Sequence, residues 1–538
     1  MKRRQALKIT SIAAIGLSAS ISSSCSKNTY SFNHGVASGD PLEDRVILWT
    51  RVTPQQTGPV EATLEISENK SFSKISYSKK LQTSALSDYT IKYDFMAKRY
   101  CDSDKGFFYR FKAGGSISEI GKSKTFSKKT VSAKIGVFSC SNFPAGYFNA
   151  YQAGAEKNDL DLWLHLGDYL YEYPMGGYAT DNAEKLGRTP SPTHEMITLS
   201  DYRQRHAQYK LDQGSKALHK HAPLIAVWDD HEFSNDAWKK GAENHSEDGL
   251  EGDFFARRSA AIKAYYEWMP IREQQNKRRI FREFEIGKLI HLIMLDTRQY
   301  GRDKQLQPQD YLGESGFNQA KFYNDLNSKN RELLGAEQLS WIENSVLKSN
   351  TTWTIFGQQV LMAKLKFPDL SKMLKTEEVP DFLKPYLKFL GLGIPSNLDA
   401  WDGYPAARNN LYQLMKNAKK NFISLAGDTH NSWVSELENH SGKKIGIELG
   451  APSVSSPGIT DVLNLDEHKF VDSIGKINKE LQWMDPSNRG YLLLDCMEDK
   501  IIASFNFIKE LNKINSEISS SQSFVIYREG HRLEEIKS

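Results

Sequence analysis

From Ser31 to about Lys128, apolar and polar positions trade places every second residue. "RVILWTRVT" (45–53), "GPVEATLEIS" (58–67) and "GFFYRFKAGG" (106–115) are rich in β-branched and aromatic residues. Gly, Ser, Asp and Pro turns separate them, the mark of short half-buried strands. This pattern predicts a small N-terminal β-sandwich over residues 31–128. The texture changes after the Ser/Lys-rich "KSKTFSKKTVSA" (122–133). "KIGVFSCSN" (134–142) is a continuous apolar run ending in small polar residues, as in a strand buried on both faces. A helical stretch, "YFNAYQAGAEKN", and a second buried run, "LDLWLHLGDYLYEY" (160–173), complete a βαβ-like unit. Further buried strands are read in "APLIAVWDDHE", "KLIHLIMLDTRQY", "TTWTIFGQQVLM" and "NFISLAGDTHNSW", with helices between them such as "EDGLEGDFFARRSAAIKAYYEWM". The expectation is an α+β protein with a second domain over 133–510 and a last strand and tail over 511–538. Residues 367–397 read as an insertion with short helices near a site.

The first 25 residues do not belong to this pattern. "MKRRQALKITSIAAIGLSAS" has a basic start, an apolar stretch and then small residues. Arg3-Arg4 followed by Gln5, Ala6, Leu7 and Lys8 matches a twin-arginine export signal. The segment ends "ISSSC", which makes Cys25 a candidate lipidated residue, with Ser22 where the usual lipobox is aliphatic. The expected partner is therefore the twin-arginine export machinery, and membrane contact runs only through a lipid anchor at Cys25. The expected location is the periplasm or the outer face of a bacterial membrane.

The chain carries 70 Lys+Arg against 66 Asp+Glu; residues 1–24 hold four basic residues and no acid, so removing them leaves the charges balanced. No basic field remains to draw nucleic acid, and no specific nucleic-acid binding is expected. Four cysteines (25, 101, 140 and 496) allow few disulfides, so these do not hold the fold together.

Five of the buried runs end in metal-competent residues: Cys140; Asp168 with Tyr171; Asp229-Asp230-His231-Glu232; Asp296 with Arg298; and Asp428 with His430. Ligands of α/β sheets sit at the carboxyl ends of strands, so residues distant in sequence meet at one edge. Carboxylates gathered there repel one another unless a cation compensates. Thiol, phenol, carboxylate and imidazole donors together suit a metal such as iron, whereas all-oxygen positions suit calcium, magnesium or manganese. Metals paired about 3.5–4 Å apart clamp a phosphoryl group and activate water. In such a site Asp168 is the candidate bridge and His231 the candidate acid at the leaving oxygen. Arg298 and Arg408 are candidate phosphate contacts.

Several stretches carry a family resemblance. "FNHGVASGDPLEDRVILWTRVTP", "SCSNFPAGYFNAY", "LHLGDYLYEY", "VWDDHEFSND", "DTRQYGRD", "WDGYPAAR", "LAGDTHNSW" and "APSVSSPG" resemble, in order, the motifs of the alkaline phosphatase D (PhoD-type) family over residues 32–507. The resemblance implies an N-terminal β-sandwich followed by a four-layer αββα metallophosphoesterase-like domain. It implies a phosphoric ester hydrolase acting on phosphate monoesters and diesters by attack of metal-activated water at an iron–calcium site. Iron would be held by Cys140, Asp168, Tyr171 and His430. Calcium would be held by Asp168, Asp230 and Asp428, with Gln358 or Gln359 nearby. Rival readings are a phospholipase D-like phosphodiesterase on the same fold and a non-catalytic surface-binding lipoprotein. Some family members carry a C-terminal helix that caps the site; "SFVIYREGHRLEEIKS" reads as a last strand and short tail instead, so a more open site that admits larger substrates is expected, unless another segment such as residues 366–400 closes it.

Overall fold

The computed structural model describes residues 30–370, 373–374, 389, 392–395, 397–463 and 465–536. The expected export signal with Cys25, and much of the segment 366–400 on which the open-site expectation turns, lie outside these residues. Two large sheets dominate. The first has ten strands; its parallel centre is Ala133–Phe138, Leu162–His165, Leu224–Ala226 and Val36–Gly39. The second has seven, with Ile290–Met294, Trp353–Gly357, Phe422–Ala426 and Lys444–Gly450 parallel to one another.

The continuous apolar runs become these central strands because both of their faces are covered. Val137, Leu164 and Ile225 of the first sheet share one core with Leu292, Ile355, Leu425 and Leu449 of the second. Adjacent residues point the other way: Ile293, Phe356 and Phe422 pack under Ile342 and Val346 of the helix Ala336–Lys348 and Leu411 and Met415 of the helix Pro405–Ala418. The outer face of the first sheet is covered by Ala150 and Tyr151 of Asn149–Lys157 and by Ala261 and Tyr265 of Phe254–Trp268.

The N-terminal strands, expected as a β-sandwich over 31–128, share part of the first large sheet. Val60–Ser67, Tyr77–Thr83 and Phe107–Ala113 form one small sheet with two short strands. It encloses a core with Val36, Val46, Leu48 and Phe95. Those four residues belong to strands of the ten-stranded sheet, where Val36–Gly39, Val46–Arg51 and Thr90–Phe95 form one end. An open edge on Leu224–Ala226 would present unpaired backbone groups; the first strand of the chain pairs with it instead. The boundary expected at 510 likewise falls inside this sheet. Lys500–Ile508 pairs with Ile518–Tyr527, which pairs with Leu533–Ile536.

Candidate metal centre

The carboxyl ends of the parallel strands of both sheets converge on one edge. Cys140 follows Ala133–Phe138, Asp168 follows Leu162–His165, and Asp229–His231 follow Leu224–Ala226; from the second sheet, Asp428 and His430 follow Phe422–Ala426. Three groups of ligand atoms result, each with its atoms within 4.8 Å of one another: Cys140, Asp168 and His430; Asp168, Asp230 and His231; Asp229, Asp230 and Asp428. Asp168 links the first two and Asp230 the last two, so the groups form one chain.

The backbone is bent to deliver these side chains. Cys140, Asp168, Asp428 and His430 all have left-handed backbones, with φ of 57°, 54°, 63° and 64°. Non-glycine residues adopt this region rarely, and it is tolerated where surrounding structure enforces it. Each Gly-Asp pair also needs its glycine for close approach. A Cβ on Gly167 would lie 2.4 Å from Asp229 Cβ, and one on Gly427 would lie 2.8 Å from Ser139 Cβ. Glu232 pins two of the turns: its carboxylate accepts the backbone N–H groups of Asp168 (3.1 Å), Tyr169 (2.6 Å) and Asp229 (2.7 Å).

Hydrogen bonds fix which atoms face inward. The Tyr171 hydroxyl lies 3.1 Å from Asp168 Oδ2, 3.1 Å from His430 Nε2 and 2.7 Å from Ser456 Oγ, which places it at the first group. His430 Nδ1 sits 2.9 Å from the Pro457 carbonyl, so this nitrogen carries the proton and Nε2 keeps its lone pair for the cluster. His231 Nδ1 is 2.8 Å from Glu172 Oε2, and its ring stacks 4.3 Å from that of Tyr171. Nε2 of His231 is thereby left to the side of Asp168 and Asp230. Tyr173 packs against His231 and Tyr178. The Tyr169 hydroxyl instead joins a buried group with Lys210, Ser215 and His219.

The electrostatics call for cations. Asp168 Oδ1, Asp229 Oδ2 and Asp230 Oδ1 are buried without a hydrogen-bond partner. Unpaired buried charge of this kind is costly. Burial and neighbouring carboxylates push the Asp168 carboxyl well above the usual range, and burial drives Asp428 up to about 6. Burial raises the Cys140 thiol and the Tyr171 phenol as well. Asp230 goes the other way: burial opposes its charge, but Arg298 and His231 outweigh that and bring it to about 2. Bound cations reverse such penalties, because they favour thiolate, phenolate and carboxylate alike. The donor set fits the implied metals: sulfur, phenol, imidazole and a shared carboxylate on one side, carboxylates on the other.

Two expected phosphate contacts have other work. Arg298 is fully buried at the cluster, where its Nε pairs with Asp229, its Nη1 with Asp399 and its Nη2 with Asp428 at 2.7 Å. It stands among the acids as a fixed countercharge. Arg408 is not brought to the cluster. Its buried Nη1 donates to Asp402 Oδ1 at 2.6 Å and to the Met362 carbonyl at 3.0 Å, because a buried guanidinium needs a carboxylate partner. The glutamines are committed too. Gln359 bridges Thr297 to the carbonyls of Trp228 and Leu295, and Gln358 accepts from Trp401 Nε1.

Sequence reasoning assigned no role to Glu172, Ser456, Tyr178 or Asp399. The first three lie inside or just beyond quoted motifs, but they support ligands rather than ending strands. Asp399 pairs with both Arg298 and Arg302 from the end of the insertion, where only a lone "LDAWD" could have marked it.

The sequence model of the family described as "PhoD-like phosphatase" matches residues 135–505, and that of "PhoD-like phosphatase, N-terminal domain" matches 18–127. The chain is 32% identical to the alkaline phosphatase D of Bacillus subtilis (strain 168) over 534 residues, covering 95% of this chain and 83% of that protein. A solved structure titled "Structure of PhoD" superposes with a TM-score of 0.79 at 30% identity, covering 94% of this chain and 92% of that one. The chain belongs to the PhoD-like phosphatase family and is a phosphoric ester hydrolase.

Proposed function

We propose that this chain is an exported, metal-dependent alkaline phosphatase or phosphodiesterase that releases phosphate from organic esters outside the cytoplasmic membrane. Its route is the twin-arginine machinery, and its location is periplasmic or lipid-anchored through Cys25. The observation that carries the metal-dependent reading is the chain of three ligand groups linked through Asp168 and Asp230. Cys140, Asp168, Tyr171 and His430 would hold iron. Asp168, Asp230 and Asp428 would hold calcium. Paired cations there supply Lewis-acid stabilisation of the phosphoryl charge and lower the pKa of water.

The chain's own residues do the rest. Burial works against a charged His231, but the carboxylates of Glu172, Asp230 and Asp168 outweigh it and raise its pKa well above the usual value. With Nδ1 engaged by Glu172, His231 turns Nε2 to the side of Asp168 and Asp230, placed to deliver a proton to the departing alkoxide. Glu172 keeps the ring oriented. Arg298 keeps Asp229, Asp230 and Asp428 together while their charges are only partly balanced.

The test is hydrolysis of p-nitrophenyl phosphate at alkaline pH by protein exported through its own signal, with calcium and then with a chelator. The expected outcome is activity lost on chelation and restored by calcium, with iron and calcium found by elemental analysis. Activity indifferent to chelation would overturn the calcium assignment. Turnover of bis(p-nitrophenyl) phosphate alone would favour the diesterase, and metal-free, inactive protein would favour the binding lipoprotein.

A further inference from the structure

A cavity of about 390 Å³ opens beside the candidate centre, and Asp428, Thr429 and His430 form one end of it. Its walls are apolar: Leu361, Leu365, Trp433, Ile459, Val462 and Leu463. They come from three places in the fold, the segment after Trp353–Gly357, the strand Ser432–Glu438 and the helix Ile459–Leu463. Ile459 and Val462 are only half-buried, so apolar surface faces the space next to two of the candidate ligands. Among the described residues no Lys or Arg lines this cavity. Its polar margins already have partners. Asp402 is held by Arg408, Trp433 Nε1 donates to Thr429 Oγ1 at 2.8 Å, and Asn431 Oδ1 accepts from Ile459 N at 3.1 Å.

We propose that this cavity is a subsite for the apolar alcohol group of a phosphate ester, so that alkyl and aryl phosphates are preferred over esters of charged alcohols. The proposal rests on the phosphoesterase reading above. A phosphoryl group at Asp428 and His430 leaves one substituent free to run along the Leu361–Trp433 wall. Among the described residues of the wall a second anion would meet no cation, whereas a hydrocarbon chain would remove the exposed faces of Ile459 and Val462 from water. A pocket of this kind, apolar with polar groups at one end, is the usual form of a small-molecule site.

The experiment measures binding of methyl-, propyl- and hexylphosphonate to the metal-loaded protein by calorimetry, and hydrolysis of the matching alkyl phosphates. Affinity is expected to tighten about two- to fourfold per added methylene, the gain for hydrocarbon leaving water. Val462→Asn and Ile459→Ser should pull the hexyl-to-methyl affinity ratio toward one. The near-isosteric Val462→Thr should lower it by a smaller factor and guards against misfolding. Affinity independent of chain length, or a ratio untouched by all three variants, overturns the subsite. A chain-length dependence of binding without hydrolysis of any ester overturns the phosphoesterase reading and leaves the subsite standing.

Discussion

At the scale of single residues, Asp168 carries the most. It has a left-handed backbone, a glycine before it that no other residue could replace without a clash, and a buried oxygen without a protein partner. Asp230 also serves two ligand groups, but Asp168 is the carboxylate that joins the group of Cys140 and His430 to the rest of the cluster. Asp168→Asn keeps the volume and removes the charge. Its expected effect is a loss of hydrolytic rate of roughly 10³-fold or more, the scale of losing a metal pair's electrostatic stabilisation. Metal content should fall with it. Thermal stability of the metal-free protein should hold or rise, because an unpaired buried carboxylate has gone. Retention of most activity would refute the bridging role. The fully buried Arg298 reads differently from its expected part. Four carboxylates already engage it, so Arg298→Lys is expected to loosen the acids it spans, since an ammonium cannot reproduce the guanidinium fork.

At the scale of elements, the turns after the strands are held from behind. Glu232 accepts three backbone N–H groups from the loops that carry Asp168 and Asp229. Burial pushes this carboxyl up to about 7 even against those hydrogen bonds. In Glu232→Gln an amide NH2 replaces one acceptor, so at least one N–H loses its partner. The expected cost is about 1–3 kcal/mol in denaturant unfolding. A fall in kcat of roughly tenfold or more should accompany it, because the carrier of Asp168 shifts. Loss of stability with kcat unchanged would show that Glu232 holds the fold and not the site. The same turns explain what the sequence could disclose. A buried strand must end when its apolar run ends, so "VFSC", "LHLGD", "VWDD" and "SLAGD" announced strand ends bearing donors. Three-dimensional neighbours were not announced. Arg408 looked free because its partner, Asp402, lies ahead of the helix that carries it, and Asp399 arrives from the insertion. Nor did alternation reveal that Val36–Gly39 pairs with Leu224–Ala226. Alternation specifies which face of a strand is buried and says nothing of which edge is shared.

At the scale of the whole molecule, the N-terminal strands are a structural part of the catalytic body. Asp40, at the end of the first strand, receives Arg282 of the second large sheet through Nη2 at 2.7 Å and Nε at 3.0 Å. Trp49 Nε1 donates to the Glu267 carbonyl at 2.8 Å, and Arg272 pairs with Asp94 at 2.8 Å. Removing one partner of a buried pair such as Asp40–Arg282 strands the other, at a cost of about 3–5 kcal/mol. His34 is sealed into the same seam, its ring edge-on to Trp268 at 5.1 Å and its Nδ1 without a partner. Burial, reinforced by Arg51, Lys216 and Lys210, lowers its pKa to about 3. The folded imidazole stays neutral at pH 5, while the unfolded one takes up a proton near 6.5. Below pH 6.5 the unfolded chain binds more protons, so this contribution is whole above 6.5 and is lost as pH falls toward 3. Carboxylates with raised pKa values, such as Asp168 and Glu232, act in the opposite direction in metal-free protein. A comparison with His34→Phe cancels them and isolates the histidine. The stability of wild type relative to this variant is expected to fall by about 2 kcal/mol between pH 7.5 and pH 5, the free energy of protonating a group of pKa 6.5 in the unfolded state alone. Urea unfolding at the two pH values measures it. Parallel pH dependence of the two proteins would mean that His34 is charged in the folded seam, and that the N-terminal strands dock through a hydrated contact instead of a dry one.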